Sequence, residues 1–338
     1  VFFGKVDHLP PDAAEAYHRW VKSGGEVLSV IPESSWDLVL DGLLGIGLNK
    51  PVSGALAEII QKVNAMGTQV LAIDIPSGLC ANTGRVLGQA IRADWTITLL
   101  GLKPGLFTHD GPDHTGDVLP DLLGVRSEHP ASGFLIEHED VSKLLLRRRK
   151  NSNKGDYGNL VVIGGAANMT GAGLLAARAG LMLGSGRVYL GLLDTSAGTL
   201  DPVMPELMLR PVDACLAVSP CACLVIGPGM GVEQQAKGLL QKALGVESPL
   251  VLDADALNML AEQPNFAPIV RQRNAVTVMT PHPGEAARLL LCSVSDIQQD
   301  RIASACRMSQ QFNAIVVLKG CGSVIAFPYG RWFINHSG

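Results

Sequence analysis

Residues 159–184 read NLVVIGGAANMTGAGLLAARAGLMLG. After Asn159 comes an unbroken apolar run, Leu160 to Ile163, and runs of about five such residues are how strands buried on both faces read. Strands of that kind belong to parallel sheets covered by helices. Two glycines follow, and then an alanine-rich stretch from Gly171 that ends in Gly184 and Gly186, the pattern of a close-packed helix stopped by glycine. Strand, glycine turn and helix make one unit of an α/β fold. Similar apolar runs closed by glycines recur at LVLDGLLGIGL (38–48), VLAIDIPSG (70–78), CLVIGPGMG (223–231) and VVLKGCGS (316–323). Leu56, Ile59, Ile60 and Val63 follow i, i+3, i+4, i+7 spacing, which predicts a helix between the first two. Functional sites in such folds lie at the carboxyl ends of the strands.

At 338 residues the chain exceeds one ordinary core and suits two domains of about 100 to 200 residues each. The glycine-punctuated pattern runs from about residue 26 to 120 and restarts at 159; the polar stretch between carries Pro130 and Gly133, so the boundary is expected near residue 130. The end of the chain differs. Its short runs VVLKG, GSVIAF and RWFINHSG, separated by Gly and Pro-Tyr-Gly, predict a hairpin added to the sheet.

Composition narrows the function. Hydrophobic residues make up 47% and charged residues 17%, with a net charge of −4, so both domains can bury large cores. The one dense basic run, Arg147 to Lys150, has no aromatic platform or basic stripe beside it, which argues against nucleic acid as a partner. No stretch approaches the ~18 consecutive apolar residues of a membrane span and no signal peptide is visible. The seven cysteines lack zinc-type spacing and read as buried free thiols of a reducing compartment, so a cytoplasmic protein is expected. Met169, Met204, Met208 and Met230 read as core fillers.

Several polar residues stand where chemistry is done. Asp41 and Asp74 each end an apolar run before a glycine-containing turn, with Ser77 just beyond; carboxylates there bind a ribose, a cation or a transferable proton, or simply cap a helix or form a turn. The stretch TPHPGEA holds His282 between two prolines, which restrict its backbone and aim the ring, either at a ligand or at the backbone of its own turn. Asp253 and Asp255 are candidates for metal or phosphate work, with capping of the following helix the alternative for Asp255.

Taken with ADWTITLLGLKPGL (93–106), LVLDADALNML (250–260) and TPHPGEAARLL (280–290), the ordered set of motifs resembles the bifunctional NAD(P)H-hydrate repair enzymes over nearly the whole chain. In that family an NAD(P)H-hydrate epimerase is fused to an ADP-dependent NAD(P)H-hydrate dehydratase. The resemblance implies a Rossmann-like α/β/α epimerase domain over 1–130 and a ribokinase-like α/β dehydratase domain over 131–338. It further implies that Asp41 and Ser77 help hold K+, and that the loop Gly45, Ile46, Gly47, Leu48, Asn49, Lys50 and Pro51, with Asp74, contacts the hydrated nucleotide. In the second domain it places Ala172, Gly231 and His282 against the hydrate and makes Lys319, Gly320, Cys321, Gly322 and Ser323 the adenine-nucleotide loop. Glu285 could hold Mg2+ through water, or act as a favourable charge in a helix first turn.

The resemblance also leads to the expectation of a chain shortened at both ends. The family's asparagine- and glycine-rich phosphate motif would precede Val1, and the dehydratase base would follow Gly338, so no catalytic residue is assigned within the sequence and full activity is not expected. Substrates would be the NADH and NADPH hydrates and ADP, and a homo-oligomer is expected. Two alternatives stay open: a ribokinase-superfamily kinase acting on a vitamin precursor, against which the fused DIPSG domain argues, and a non-catalytic nucleotide-binding protein.

Overall fold

The computed structural model describes residues 1–125, 130–145 and 147–337. The chain divides into two compact units, Val1–His129 and Pro130–Gly338. Each is built around its own sheet.

In the first unit, β1 (Leu38–Asp41), β2 (Gln69–Ile73), β3 (Trp95–Leu99) and β4 (Asp117–Asp121) lie side by side in chain order, all parallel. The helix Ala55–Ala65 crosses from β1 to β2 and buries Ile60 and Val63 against Val70 and Ile91, as its apolar spacing predicts. Only one face of this sheet is covered by the described residues. Register puts Leu40 beside Leu71, and Ile73 beside Ile97 and Leu119, on the other face. There Leu40 is 64% and Leu119 52% exposed. Burial on both faces, expected from the apolar runs, therefore fails for these strands.

The second unit carries a ten-stranded sheet. Its strands are β5 (Phe134–Leu135), β6 (Asn159–Gly164), β7 (Arg187–Leu192), β8 (Met208–Leu209), β9 (Cys223–Ile226), β10 (Leu250–Leu252), β11 (Thr277–Met279), β12 (Ile315–Leu318), β13 (Ser323–Ala326) and β14 (Trp332–Asn335). They run in the order β5-β14-β13-β12-β11-β10-β9-β6-β7-β8. The block from β8 to β12 is parallel, and β12, β13 and β14 form an antiparallel meander, the hairpin extension that the short terminal runs predict. Here the strands are buried on both faces. Val161, Ile163, Leu224, Ile226, Leu252, Met279 and Val316 belong to one large core; Val162, Val188 and Leu190 pack on the opposite side with Ala177 of the helix Thr170–Met182.

Chain direction across the sheet reverses between β6 and β9. From β6 the chain moves outward through β7 to β8, then returns to β9 and proceeds the other way. That reversal opens a crevice beyond the carboxyl ends of the strands. The methionines divide as their surroundings dictate: Met230 is fully buried, whereas Met169 stands exposed and is no core filler. All seven cysteines are free; Cys215 alone is fully buried, which pushes its thiol up to about 11, and Cys321 is exposed.

Candidate functional site

In the first unit the ends of β1 and β2 bring Asp41 and Ser77 into contact. Asp41 is buried; its Oδ2 accepts from the Ser77 backbone N–H at 2.7 Å and its Oδ1 from the Ser77 hydroxyl at 2.6 Å. The Ser77 oxygen in turn accepts from Leu44 N–H at 2.8 Å and lies 3.3 Å from the Leu44 carbonyl. Burial pushes the Asp41 carboxyl up from its ordinary value, opposed by the hydrogen bonds from Ser77. A carboxylate, a hydroxyl and a carbonyl thus converge, all hard oxygen donors. The loop Gly45 to Pro51 that follows is exposed except for half-buried Leu48 and is closed by one bond, Leu48 N–H to Gly45 O at 3.3 Å.

Asp74 takes a left-handed conformation, φ 71°, which Asp tolerates better than most residues. That turn points its carboxylate across β3, where Oδ1 accepts from Leu99 N–H at 3.0 Å and forms an ion pair with Lys103. The Lys103 ammonium also donates to Thr98 Oγ1 at 3.1 Å and to the Leu99 carbonyl at 2.6 Å. Sequence reading missed Lys103. Its signal was available: a lysine just past a strand end, in the same crevice-facing position that singled out Asp74.

In the second unit the glycine loops after β6 and β9 lie against each other. Gly165 N–H donates to Pro228 O at 2.9 Å and Ala166 N–H to Gly229 O at 2.7 Å. A side chain on Gly164 would put its Cβ 2.2 Å from the Pro228 carbonyl, so this close approach requires glycine. Ala172 borders the same loop, its Cβ 2.9 Å from where a Cβ on Gly229 would stand. Gly231, with φ 72°, donates its N–H to Asp255 Oδ2 at 2.9 Å. Asp255 therefore does not cap its helix with its side chain, and the capping alternative fails.

Across the crevice, three neighbouring strands end in polar side chains that meet. Lys319, after β12, places its ammonium 2.9 Å from Asp253 Oδ1, and Thr280, after β11, donates its hydroxyl to the same oxygen at 2.6 Å. Lys319 N–H donates to Pro281 O at 2.9 Å, which ties the loop from Lys319 to Ser323 to the segment bearing His282. Gly320 has φ 144° and lies over the buried guanidinium of Arg301, which donates to the Leu318 and Lys319 carbonyls at 3.3 Å each. Arg301 and Thr280 were not singled out from sequence. Arg301 sits at the start of a helix remote in the chain, and nothing in its neighbours marks it.

His282 is the N-cap of the helix Pro283–Leu290. Its Nδ1 accepts from Gly284 N–H at 3.0 Å, while Nε2 faces Glu285 Oε1 at 3.3 Å. The side chain is still 51% exposed. Glu285 is buried and its Oε2 accepts from His282 N–H at 2.8 Å, so both carboxylate oxygens face His282. That is a capping arrangement and leaves Glu285 poorly placed for a metal. Among the described residues no group of three or more His, Cys, Asp or Glu side chains is arranged to hold a metal ion.

A sheet that reverses at β6/β9, with glycine loops after β6 and β9 and a lysine–glycine loop after β12, defines a doubly wound α/β protein whose candidate site lies at the carboxyl ends of its strands. The comparisons make this specific. The NAD(P)H-hydrate dehydratase family model matches residues 160–338, and the model described as YjeF-related protein N-terminus matches 1–105. The chain belongs to the family of bifunctional NAD(P)H-hydrate repair enzymes. It is 39% identical over 326 residues to the Escherichia coli enzyme of that name, covering 94% of this chain and 62% of that protein. With the Moorella thermoacetica enzyme of the same name the identity is 33%, covering 99% of this chain and 68% of that protein. Among solved structures, the ADP/ATP-dependent NAD(P)H-hydrate dehydratase of Bacillus subtilis, crystallised with ATP and Mg2+, matches with a TM-score of 0.52 and 27% identity over 61% of this chain and 73% of that one. A ribokinase-like superfamily protein from Enterococcus faecalis shares the fold, with a TM-score of 0.54 over 63% of this chain and 75% of that one.

Proposed function

We propose that residues 131–338 dehydrate the hydrates of NADH and NADPH at the expense of ADP, and that residues 1–130 interconvert the hydrate epimers. The observation that carries the dehydratase reading is the lysine–glycine loop of Lys319 to Ser323 and the Ala172 and Gly231 loops gathered at the carboxyl ends of one parallel sheet, in a chain of this family. Lys319 would counter phosphate charge, and Gly320 and Gly322 would let the backbone approach it. Ala172, Gly231 and the exposed edge of His282 would meet the hydrate.

The chemistry is phosphoryl transfer followed by elimination. The terminal phosphoryl group of ADP passes to the ring hydroxyl of the hydrate, the hydroxyl proton goes to a base, and AMP leaves. Phosphate then departs with the carbon–oxygen bonding pair, and loss of a ring proton restores the double bond. The family's carboxylate base is not assigned to any residue of this sequence. Mg2+ fits poorly on Glu285; it would arrive on the phosphates with its own waters, the usual habit of that ion.

In the first unit, the buried Asp41 carboxylate, the Ser77 hydroxyl and the Leu44 carbonyl suit a monovalent cation such as K+, which would screen the buried charge. Gly45 to Pro51 and Asp74 would hold the substrate. No helix among the described residues is long and apolar enough to cross a membrane. The test is to incubate the 338-residue chain with NADH hydrate, alone and with ADP or ATP, following binding by calorimetry and recovery of NADH absorbance. A chain that binds ADP but ignores the hydrate would point instead to a small-molecule kinase.

A further inference from the structure

Between β10 and its helix the chain makes one unusual turn, Asp253-Ala254-Asp255. Ala254 has φ 47° and ψ −115°, a conformation that residues with a Cβ rarely adopt and that persists only where the surroundings impose it. Here they do. Asp253 N–H donates to Ile226 O at 3.1 Å, and Gly227, with φ 123°, packs so tightly on the turn that a Cβ there would stand 1.8 Å from the Asp253 carbonyl. The consequence is that adjacent carboxylates diverge. Asp253 holds the Lys319 ammonium, and Asp255 holds the Gly231 amide.

We propose that this turn is the positioning element of the crevice, with Asp253 setting the Lys319 ammonium for the nucleotide and Asp255 fixing the loop of Gly231 for the second substrate. The Lys319 half rests on the nucleotide reading above. A lysine side chain has many rotamers to give up, so an ammonium fixed before binding loses less on meeting phosphate. Asp253 fixes it, and the Thr280 hydroxyl, bonded to the same oxygen, fixes Asp253. An ammonium has three protons, so one spent on Asp253 leaves others for a phosphate. Lys319 is 43% exposed, which lets a ligand reach it without opening the core. Neither carboxylate touches the reacting atoms in this scheme; both act through another group.

The test uses the 338-residue chain, ADP titration calorimetry at fixed salt, and thermal unfolding to establish that each variant folds. Asp253→Asn should weaken ADP binding about tenfold, the scale of one charge-assisted hydrogen bond. Thr280→Val should weaken it in the same direction, and Lys319→Met at least as much. Asp253→Asn combined with Lys319→Met should be no weaker than Lys319→Met alone, because the two act through one ammonium. Asp255→Ala should leave ADP affinity unchanged while the Gly231 amide, stripped of its acceptor, loses its protection from hydrogen exchange. Unchanged or tighter ADP binding in Asp253→Asn, or additive losses in the double variant, overturns the Lys319 half. A parent chain that binds no ADP removes the nucleotide reading, and the Lys319 half with it. The Gly231 half is judged separately: full protection of that amide in Asp255→Ala overturns it.

Discussion

His282 and Glu285 cap the same helix reciprocally, the histidine Nδ1 accepting from the Gly284 amide at 3.0 Å and Glu285 Oε2 accepting from the His282 amide at 2.8 Å. The two prolines that flank the histidine therefore aim its ring first at its own backbone. In the neutral ring this puts the proton on Nε2, which faces the buried Glu285 carboxylate at 3.3 Å, while the side chain as a whole stays half-exposed.

The two roles can be separated by substitution. His282→Ala removes the cap and should cost about 1 kcal/mol of stability, whereas His282→Asn restores a capping acceptor and should recover most of it. If the ring also meets the hydrate, both variants weaken hydrate binding by about 0.5 to 1.5 kcal/mol while ADP binding holds. Thermal unfolding and calorimetry on both variants decide it. Parental hydrate affinity in His282→Asn would confine the residue to capping.

The Asp74–Lys103 pair lies at the ends of β2 and β3, mostly buried, with the lysine bonded to Thr98 and Leu99 as well. Removing the ammonium leaves a carboxylate with only the Leu99 amide to meet it in the described network. Lys103→Met should therefore destabilise the first unit by about 1 to 3 kcal/mol. Asp74→Asn combined with Lys103→Met should recover part of that loss, since a neutral pair avoids the unpaired charge and Asn tolerates the left-handed turn. Denaturant titration of both single variants and the double checks this; a double variant as unstable as the sum of both singles shows that the residues are not coupled.

Arg178 and Asp201 meet in a two-pronged ion pair, at 2.7 and 2.6 Å, that ties the helix Thr170–Met182 to the segment leading into β8. Hydrogen bonding from Arg178 holds the Asp201 carboxyl below its ordinary 3.8. A depressed folded value means that the unfolded chain takes up the proton first. The contribution is thus fully present above pH 3.8 and is lost as pH falls through the lower folded value. Asp201→Asn should be less stable than the parent at pH 7, and the gap should narrow on acidification below pH 3.8. A gap that stays constant down to pH 3 would mean that the pair contributes nothing through ionisation.

What could be read from sequence follows from what each signal encodes. Apolar runs such as Leu160 to Ile163 and the glycines behind them report local geometry, so the strands of the parallel block and the strand-end positions of Asp41, Asp74 and Lys319 were legible. The open face bearing Leu40 and Leu119 was not, because an apolar run specifies what should be covered and not what covers it. Pairings between distant segments were also invisible. Asp253 and Lys319 are 66 residues apart, and Arg301 reaches the Lys319 carbonyl from another helix. Local pattern gives no means of joining them. Asp255 misled for a related reason: an aspartate at a helix start is usually a cap, and only the strained Ala254 turns it toward Gly231.

The buried Asp41 gives the prediction that bears most directly on the cation. Desolvation raises its carboxyl above the ordinary 3.8, so the folded chain keeps its proton at pH values where the unfolded chain has lost it. By linkage, this group makes the first unit less stable as pH rises from 3.8 through the raised folded value, and the penalty persists above it. A cation bound beside the ionised carboxylate offsets that penalty. At pH 7, KCl should therefore raise the unfolding temperature of the first unit more than choline chloride of equal ionic strength. Well below the raised value, where the carboxyl is protonated in both states, the difference should vanish. Asp41→Asn should abolish the K+ response at every pH and, in K+-free buffer at pH 7, should be no less stable than the parent, since the amide keeps an acceptor for Ser77 without the buried charge. A K+ response that survives in Asp41→Asn, or that choline reproduces, would show that Asp41 and Ser77 hold each other and no cation.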